Sequence, residues 1–351
     1  MKNSFYLKIK KEIVPTTDKK LNDRALERLN EIFENPQKYN IPHWIVEKRN
    51  KVALYNAKGD VEKAKSLYLT DEKSSYDLSN KLNDLLAKEW LPETITVFSQ
   101  RGLGAGSEHA KIEKQHPAPY SYQDVSRFIR FFTKEGDVVL DPFVGVGSTL
   151  KACAIENRKG VGIELNAKYA QLSKERVETE VEDSFQYKQM QTVINDDASV
   201  AIDSFENDYF DFIVTSPPYW NILETVDHKA RERQGSNLDT KYSNSKSDFG
   251  NIEDYNVFLS RLVSLFESSS RILKHGKYMA IVVSDFRKKD DYYIFHADLA
   301  RELEKTSSFK LKGIKILYQR HKSIYPYGYP FTFVPNVHHQ NVLIFQNTKN
   351  S

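Results

Sequence analysis

The pattern of apolar and polar residues between residues 124 and 283 predicts alternating strands and helices. Short apolar runs are typical of buried parallel strands, and four of them follow one another at 137–141, 161–165, 192–198 and 211–214. Stretches with helical periodicity lie around them, at 124–133, 148–160, 166–180 and 252–273. Further strands are predicted at 278–283, 311–318 and 341–345. We therefore predict an α/β fold whose sheet is mostly parallel, with one antiparallel late strand.

Residues 1–95 differ in pattern and are predicted to form a separate, mainly helical extension. Apolar residues recur at helical intervals in 21–33 and 60–67, and another helix is predicted to begin in 79–86. No chemical motif occurs in this region, so a packing or recognition role is the most that the sequence supports. The pattern changes after Leu91-Pro92, which places a second domain at 96–351.

The composition is that of a globular protein, with 40% hydrophobic and 28% charged residues. No apolar run approaches the roughly 18 residues of a membrane span, and the first residues lack a secretory signal. We therefore expect a soluble, cytoplasmic protein with no membrane partner. Cys153 is the only cysteine, which excludes a disulfide within the chain and a thiolate metal cluster. His338 and His339 would point to opposite faces of a strand, and no metal site is predicted.

The distribution of charge indicates a polyanionic partner more clearly than the total does. The net charge is +3, but from residue 305 to the C-terminus there are seven Lys and Arg and no Asp or Glu, so the rest of the chain sums to −4. Within 305–340, basic residues are interleaved with aromatic residues, notably at 318–322 and 325–329. This mixture suits phosphate contact and base stacking and predicts a DNA-contact segment. An aromatic hairpin packed on the core is the alternative.

Three successive predicted strands end in features that suit a nucleoside ligand. After the first strand, Gly145 and Gly147 allow the backbone to approach a ligand at the start of a helix, which is predicted to end at Gly160. Glu164 ends the second strand, where a carboxylate can accept hydrogen bonds from ribose hydroxyls. Asp197, or its neighbour, ends the third and could accept from an adenine amine. Each acid alone would be equally consistent with a surface turn.

A stiff turn follows the fourth strand at 215–220, with the sequence Thr-Ser-Pro-Pro-Tyr-Trp. Neither Pro217 nor Pro218 can donate to a strand ladder, and each fixes its own φ. The turn therefore presents the Ser216 hydroxyl, backbone carbonyls and two aromatic faces at the sheet edge where ligands bind in open α/β folds. An ordinary proline-rich loop is the alternative. Residues 221–251 lack apolar periodicity and are predicted to form a mobile loop beside the turn.

In this order, Asp-Pro-Phe-x-Gly-x-Gly-Ser-Thr at 141–149, Glu164, Asp197-Ala198 and the 215–220 turn resemble the signature motifs of amino-group DNA methyltransferases. The resemblance covers roughly residues 96–346. It implies a Rossmann-like methyltransferase sheet, S-adenosylmethionine as cofactor and double-stranded DNA as substrate, and it matches 116–122 to the motif on the methionine side of the cofactor. The implied cofactor-binding residues are Tyr120, Ser121, Asp141, Phe143, Gly145, Gly147, Ser148, Thr149, Glu164 and Asp197.

The implied catalytic residues are Ser216, Pro217, Pro218 and Tyr219. The active site cannot reach the exocyclic amine of a base within a base pair, so the target nucleotide must leave the base stack. Tyr219 then offers a ring face to the base, while the Ser216 hydroxyl and the Pro217 carbonyl accept hydrogen bonds from the amine. Direct methyl transfer needs orientation more than a strong base. Cys153 is wrongly placed for the nucleophile of a cytosine-C5 enzyme, which excludes that reaction.

The sequence favours cytosine N4 as the target, because serine at the first motif position resembles cytosine-N4 enzymes. Asp or Asn there is typical of adenine-N6 enzymes, but the cofactor motifs precede the catalytic one, unlike the permuted order common among cytosine-N4 enzymes, so adenine N6 stays open. An RNA methyltransferase, a non-catalytic DNA-binding relative and a nicotinamide-dependent oxidoreductase are further alternatives. A nicotinamide-dependent oxidoreductase would have a third glycine after Gly147, at the position where this chain has Leu150. A cognate restriction endonuclease is a candidate partner, and the sequence sets no oligomeric state.

Overall fold

The computed structural model describes residues 68–71, 74–77, 80–85, 87–100, 110–117, 120–222, 239, 245, 247–320 and 322–349. The chain divides into two compact units, of which the first contains residues up to Thr94 together with Thr133–Glu135. The second contains Ile95–Phe132 and Gly136–Ser351. The helices predicted at 21–33 and 60–67 lie outside the described residues.

In the first unit, one helix differs from its predicted position. The described elements are β1 (Tyr68–Asp71), which pairs antiparallel with β2 (Ser74–Asp77), and α1 (Ala87–Glu93). The helix predicted to begin in 79–86 is wrong over the residues described there, which form turns. Asn80 Oδ1 accepts from the backbone N–H groups of Leu82 and Asn83 at 2.9 and 3.1 Å. Such local bonds offer the backbone an alternative to the helix.

Among the described residues, the second unit contains an eight-stranded sheet and a separate two-stranded hairpin. Its strands are β3 (Val97–Ser99), β4 (Val138–Asp141), β5 (Lys159–Ile163), β6 (Gln191–Ile194), β7 (Phe210–Thr215), β8 (Leu273–Val283), β9 (Phe286–Lys288), β10 (Asp291–Tyr293), β11 (Phe309–Tyr318) and β12 (His339–Asn347). Its helices are α2 (Ala110–Glu113), α3 (Tyr122–Phe132), α4 (Ser148–Ile155), α5 (Ala167–Glu180), α6 (Ala198–Ala201), α7 (Tyr255–Ile272) and α8 (Phe295–Lys305).

The strand order of the large sheet is β3-β11-β12-β8-β7-β4-β5-β6. All neighbours run parallel except β12, which is antiparallel to both β11 and β8. This topology confirms the predicted sheet. The carboxyl ends of the parallel strands therefore share one edge with the start of β12. The register agrees, because Thr215 lies beside Ile281 and Val283 lies beside Asn341.

The core holds β7 rigidly at the centre of this sheet. Every residue of β7 is buried, as expected of a central parallel strand. Helix α7 buries Phe258, Leu262 and Phe266 in the same core, and α8 adds Phe295. Full burial of each such side chain contributes about 1.5–3 kcal/mol. The turn that follows β7 therefore starts from a fixed point.

The helix after the glycine turn ends earlier than predicted. Helix α4 stops at Ile155, and Asn157 takes the left-handed conformation with φ 59°. Gly160, predicted as the C′ residue, lies within β5 instead, where a Cβ would come within 2.3 Å of the Gln191 side chain. The prediction was wrong because asparagine tolerates the left-handed conformation, while the glycine serves close packing.

Within the described part of the chain, no helix has the length and apolarity needed to cross a membrane. The same residues contain no group of three or more His, Cys, Asp or Glu side chains placed to hold a metal ion. Cys153 is buried in α4, and burial raises the pKa of its thiol. The cytoplasmic location stays a prediction.

Candidate active site

The turn between β4 and α4 brings backbone close to the sheet edge. Gly145 and Gly147 have φ of 54° and 84° in the left-handed region. A Cβ on Gly147 would lie 2.5 Å from Ser173 Oγ on α5, so this position needs both the conformation and the missing side chain. The Val144 N–H donates to the Ile163 carbonyl at 3.0 Å and fixes the turn against the end of β5.

Glu164 follows β5 directly and faces this turn. Its Oε2 accepts from the Gly145 N–H at 2.9 Å, and its Oε1 accepts from the Asn166 N–H at 2.8 Å. The pKa of Glu164 is raised to about 7, mainly by burial and to a smaller extent by the negative charges of Asp248 and Asp141, while the two backbone donors lower it. Each carboxylate oxygen retains a second lone pair, so the group can still accept hydrogen bonds from a ligand.

A pocket extends from Glu164 to the turn after β7. It holds about 680 Å³ of empty space, part of it open to solvent. Seven predicted site residues line it, namely Phe143, Glu164, Asp197, Ser216, Pro217, Pro218 and Tyr219. The structure therefore brings the predicted nucleoside end and the predicted catalytic turn into one cavity.

Asp141 lies behind the pocket wall and joins its two halves. It is fully buried, and its Oδ1 accepts from the Thr215 hydroxyl at 2.6 Å and the Phe143 N–H at 3.0 Å. Its Oδ2 accepts from the Tyr120 hydroxyl at 2.6 Å and from the Thr149 hydroxyl. Burial raises the pKa of Asp141, while these donors lower it. The visible role of Tyr120, Asp141 and Thr149 is to position the two turns, and their cofactor contact stays a prediction.

Ser148, another predicted cofactor residue, belongs to a second buried network. Its hydroxyl donates to the Tyr120 carbonyl at 2.7 Å and accepts from the Arg176 guanidinium at 2.9 Å. Arg176 is fully buried and pairs with Glu113 at 2.7 Å and Glu180 at 3.0 Å. These contacts tie α2, the start of α4 and α5 together. Cofactor contact by Ser148, and by the buried Ser121, stays a prediction.

The turn after β7 is held through Tyr219. The Gln340 side-chain amide donates to the Tyr219 hydroxyl oxygen at 2.9 Å, and that hydroxyl lies 3.1 Å from Ser216 Oγ. Burial raises the pKa of Tyr219, so the phenol is neutral. Either oxygen of this pair can donate to the other, and the Tyr219 hydroxyl also donates to the Val282 carbonyl at 3.4 Å. The turn thus holds Ser216 Oγ in a fixed position.

Trp220 anchors the other end of the turn. Its backbone is left-handed, with φ 50°, and its buried ring packs against Tyr255 and Tyr293 at centroid distances of 5.4 and 5.2 Å. Lys288 Nζ lies 3.8 Å from the centroid of the same ring and donates to the Asn221 side chain. The turn is therefore fixed from β12 on one side and from the β9–β10 hairpin on the other.

Several site residues escaped the sequence analysis. Asp248 and Phe249 line the pocket, as does His116 of the predicted segment 116–122, and Phe249 packs edge-on against Phe143 at 5.5 Å. Residues 247–251, the end of the predicted mobile loop, include a short 3₁₀ turn capped by Asp248, whose Oδ1 accepts from the Gly250 N–H at 2.8 Å.

A pair of polar residues at the end of β8 was also missed. Asp285 Oδ1 lies 2.7 Å from His296 Nδ1 and accepts the His296 backbone N–H at 3.2 Å. Asp285 is buried and lies two residues after the end of β8, whereas Glu164 follows β5 directly. A polar residue close to the end of a predicted strand was the available signal.

The chain matches a family model for DNA methylases of the N6 and N4 type over residues 1–175. The matched range includes the glycine turn and Glu164. The chain is also similar to named Type II methyltransferases. It is 41% identical over 70 residues to M.HpaI of Haemophilus parainfluenzae, which is 20% of this chain and 22% of that protein.

Two further relatives match over similarly short segments. M2.DpnII of Streptococcus pneumoniae is 33% identical over 111 residues, which is 31% of this chain and 37% of that protein. M.BglI of Bacillus subtilis is 44% identical over 97 residues, which is 28% of this chain and 26% of that protein. The matched segments thus span between about a fifth and two fifths of these relatives.

Among solved structures, the chain is similar to TrmN from Thermus thermophilus. The sequence identity is 15% and the TM-score 0.42, over 68% of this chain and 52% of that one. A second similar structure is a SAM-dependent methyltransferase from Methanosarcina mazei, with 15% identity and a TM-score of 0.41, over 64% of this chain and 98% of that one.

Proposed function

Because the chain belongs to the family of N6 and N4 amino-group DNA methylases, we propose that it methylates an exocyclic base amine in double-stranded DNA with S-adenosylmethionine as donor. One observation carries this proposal. A single pocket contains the Glu164 carboxylate at one end and the Ser216–Tyr219 turn at the other. Cofactor and acceptor sites must adjoin in this way for direct transfer, in which proximity and orientation supply most of the rate.

The pocket lining fits the nucleoside part of the cofactor. Glu164 offers lone pairs to two ribose hydroxyls, and burial in the pocket raises its pKa. Phe143 and the apolar Ile163 and Ala198 surround the space for a flat ring, and Asp197 lies beside them. When bound, S-adenosylmethionine supplies a methyl group activated by a cationic sulfonium.

The catalytic turn orients the acceptor amine. Ser216 Oγ is hydrogen-bonded to the Tyr219 hydroxyl, and whichever of the two groups donates, Ser216 keeps a lone pair for the amine N–H. The Pro217 carbonyl is the second acceptor for the amine. Because both groups are preset, they hold the amine with its lone pair directed to the methyl group. Gln340 positions Tyr219 for this task.

Cytosine N4 is the target that we favour within this proposal. Serine at position 216 supports it, because this is the residue type of cytosine-N4 enzymes in the motif that the chain resembles. Adenine N6 is the second candidate, and the order of the motifs supports it. Both bases carry an exocyclic amine that can donate to the Ser216 oxygen, so the turn can accept either base.

Nucleoside mass spectrometry tests the proposal. DNA incubated with the protein and methyl-labelled S-adenosylmethionine is digested to nucleosides, and we expect labelled N4-methylcytosine. Ser216→Ala should lower the rate by about 10²-fold or more, in the range found when a preset hydrogen-bonding group is removed from an active site. Ser199→Ala, an exposed serine on α6, is the matched control.

The outcomes separate the alternatives. Labelled N6-methyladenine would retain the enzyme class and replace the target base. Label in RNA but not in DNA would identify an RNA methyltransferase. Absence of label from both, with cofactor binding intact, would reject the proposed activity.

A further inference from the structure

The connection between β11 and β12, residues 319–338, carries an unusual set of exposed apolar side chains. We name it the aromatic arm; its His321 lies outside the described residues. Ile324, Tyr329, Phe331 and Phe333 are 77, 80, 93 and 84% exposed. Soluble domains rarely leave several large apolar groups together in water unless they serve binding. The alternative predicted from sequence, an aromatic hairpin packed on the core, does not describe these four side chains.

The backbone of the arm is nevertheless ordered. The Asn336 side chain accepts from the Tyr325 N–H at 2.9 Å and donates to the Tyr325 carbonyl at 2.8 Å, which joins the two halves of the arm. At the tip, the N–H groups of Phe331 and Thr332 both donate to the Gly328 carbonyl at 2.8 Å. Gly328 is left-handed, with φ 73°, and a Cβ there would lie 2.3 Å from the Thr332 carbonyl oxygen. The exposed side chains are therefore presented by a preformed turn, which lowers the entropy cost of binding.

The arm leaves the sheet at the edge that carries the catalytic turn. Tyr318, the last residue of β11, pairs with His339, the first residue of β12. Gln340, the next residue of β12, contacts Tyr219. The base of the arm is thus connected to the catalytic turn through one hydrogen bond.

The charge around the arm fits a polyanion. Arg320 and Lys322 lie near its base, and no Asp or Glu occurs from residue 305 to the C-terminus. An apolar tip on a basic support is the combination used by proteins that insert apolar side chains between base steps. A protein partner would require neither the absence of acids nor the proximity to the catalytic turn.

We propose that the aromatic arm inserts its apolar tip between base pairs of duplex DNA, beside the nucleotide that enters the active site. This inference rests on the proposed DNA substrate. Insertion weakens the stacking that holds the target nucleotide in the helix, so the cost of displacing that nucleotide falls. The arm then acts before methyl transfer, as a device for opening the duplex.

The test compares three variants of the full chain. Phe331→Ala with Phe333→Ala removes the tip, and Phe331→Tyr with Phe333→Tyr restores both rings. Tyr209→Ala is the matched control, because Tyr209 is an exposed aromatic residue that precedes β7 at the opposite edge of the sheet. Circular dichroism and thermal unfolding verify that each variant is folded.

Two duplexes are used, both containing the sequence that the wild type methylates. One is fully paired with 2-aminopurine beside the target, and the other carries a mismatch at the target pair. We expect the double alanine variant to bind the paired duplex about 10-fold to 100-fold more weakly than the wild type, in the range of one or two lost stacking contacts. It should lose the 2-aminopurine fluorescence rise, yet bind the mismatched duplex within about 3-fold of the wild type, because that duplex is already opened. The tyrosine and Tyr209→Ala variants should behave as the wild type.

Three results would overturn the inference. The double alanine variant could bind the paired duplex and raise the fluorescence as the wild type does. It could bind both duplexes more weakly than the wild type by the same factor, which indicates a simple surface contact. It could change only self-association in analytical ultracentrifugation, which indicates an interface between copies.

Failure of the proposed function gives a different pattern. If the wild type methylates no DNA, the same variants are compared on random duplexes with and without mismatched pairs. If the double alanine variant binds both kinds of duplex as tightly as the wild type does, insertion is again rejected. A smaller loss on mismatched than on paired duplex, confined to the double alanine variant, supports insertion in a DNA-binding protein without methylase activity.

Discussion

At the scale of single residues, Glu164 connects the electrostatics of the pocket with a measurable pH dependence. Its pKa of about 7 lies above the ordinary value of 4.5, and ribose hydroxyls would donate to the ionised form. Cofactor binding should therefore strengthen as Glu164 loses its proton. We expect the affinity for S-adenosylhomocysteine, measured by calorimetry, to be about 10-fold weaker at pH 6 than at pH 8, because the ionised fraction changes by that factor around a pKa of 7.

The stability contribution of Glu164 has the opposite pH dependence. Because the pKa is raised in the folded state, the unfolded chain releases this proton first, and the stabilisation present below about pH 4.5 is lost as the pH rises through 7. Glu164→Gln should remove the pH dependence of cofactor affinity and this contribution to the pH dependence of stability. It should also weaken cofactor binding at pH 8. Glu178→Gln, an exposed acid on α5, should retain both pH dependences. A wild-type affinity that is flat between pH 6 and 8 contradicts the assigned role of Glu164.

Residue types with a fixed chemistry were predictable from the sequence, whereas their long-range partners were not. Glu164 and Ser216 could be identified because each follows a strand directly, and strand ends in a parallel sheet share one edge. Gln340 lies 121 positions from Tyr219 in the chain, and a single glutamine at the start of a late strand has no pattern of its own. Asp141 was predicted to bind the cofactor, but the structure first shows it accepting four hydrogen bonds in the interior.

At the scale of elements, the turn between β4 and α4 depends on Gly147 for two separable reasons. Gly147 is left-handed, and a Cβ there would also lie 2.5 Å from Ser173 Oγ. Gly276 is left-handed with φ 77°, and a Cβ there would meet nothing within 4 Å. Gly276→Ala should therefore lower the free energy of unfolding by about 1–2 kcal/mol, the cost of a left-handed alanine. Gly147→Ala should add roughly 1–3 kcal/mol for overpacking.

Urea unfolding measures both glycine variants. The difference between them isolates the contact with α5, and cofactor binding should fall for Gly147→Ala alone, because the turn that presents the Gly145 N–H to Glu164 has to move. Equal losses of stability in the two variants would show that Ser173 moves away at no cost.

Element boundaries were harder to predict than the elements themselves. Burial of apolar runs selects strands such as β7 without reference to the rest of the chain, which is why that prediction is confirmed. Boundaries depend on local competition. Asn80 replaces a helical turn with side-chain bonds, and Asn157 occupies a left-handed position that was assigned to glycine. Phe249 is buried only because a pocket wall forms around it, and no local pattern contains that wall.

At the scale of the whole molecule, charge and topology act on the same edge of the sheet. The catalytic turn, the start of β12 and the base of the aromatic arm all lie there. Of the seven basic residues in the acid-free sequence from residue 305 onward, Arg320 and Lys322 follow the end of β11 at this edge. On the proposed function, a DNA duplex that presents a base to Ser216 places phosphates near Arg320 and Lys322.

That arrangement predicts a strong dependence of DNA affinity on salt, because each neutralised phosphate releases counterions. Replacement of Arg320 and Lys322 by glutamine should reduce the slope of log K against log salt concentration by about 0.9 for each lost phosphate contact. The slope is measured by fluorescence anisotropy between about 50 and 200 mM NaCl. Lys159→Gln is the control, since Lys159 is exposed and begins β5 at the opposite edge of the sheet; its slope should equal that of the wild type. If all three proteins share one slope, the phosphates lie elsewhere and the basic C-terminal segment is not the DNA-contact surface.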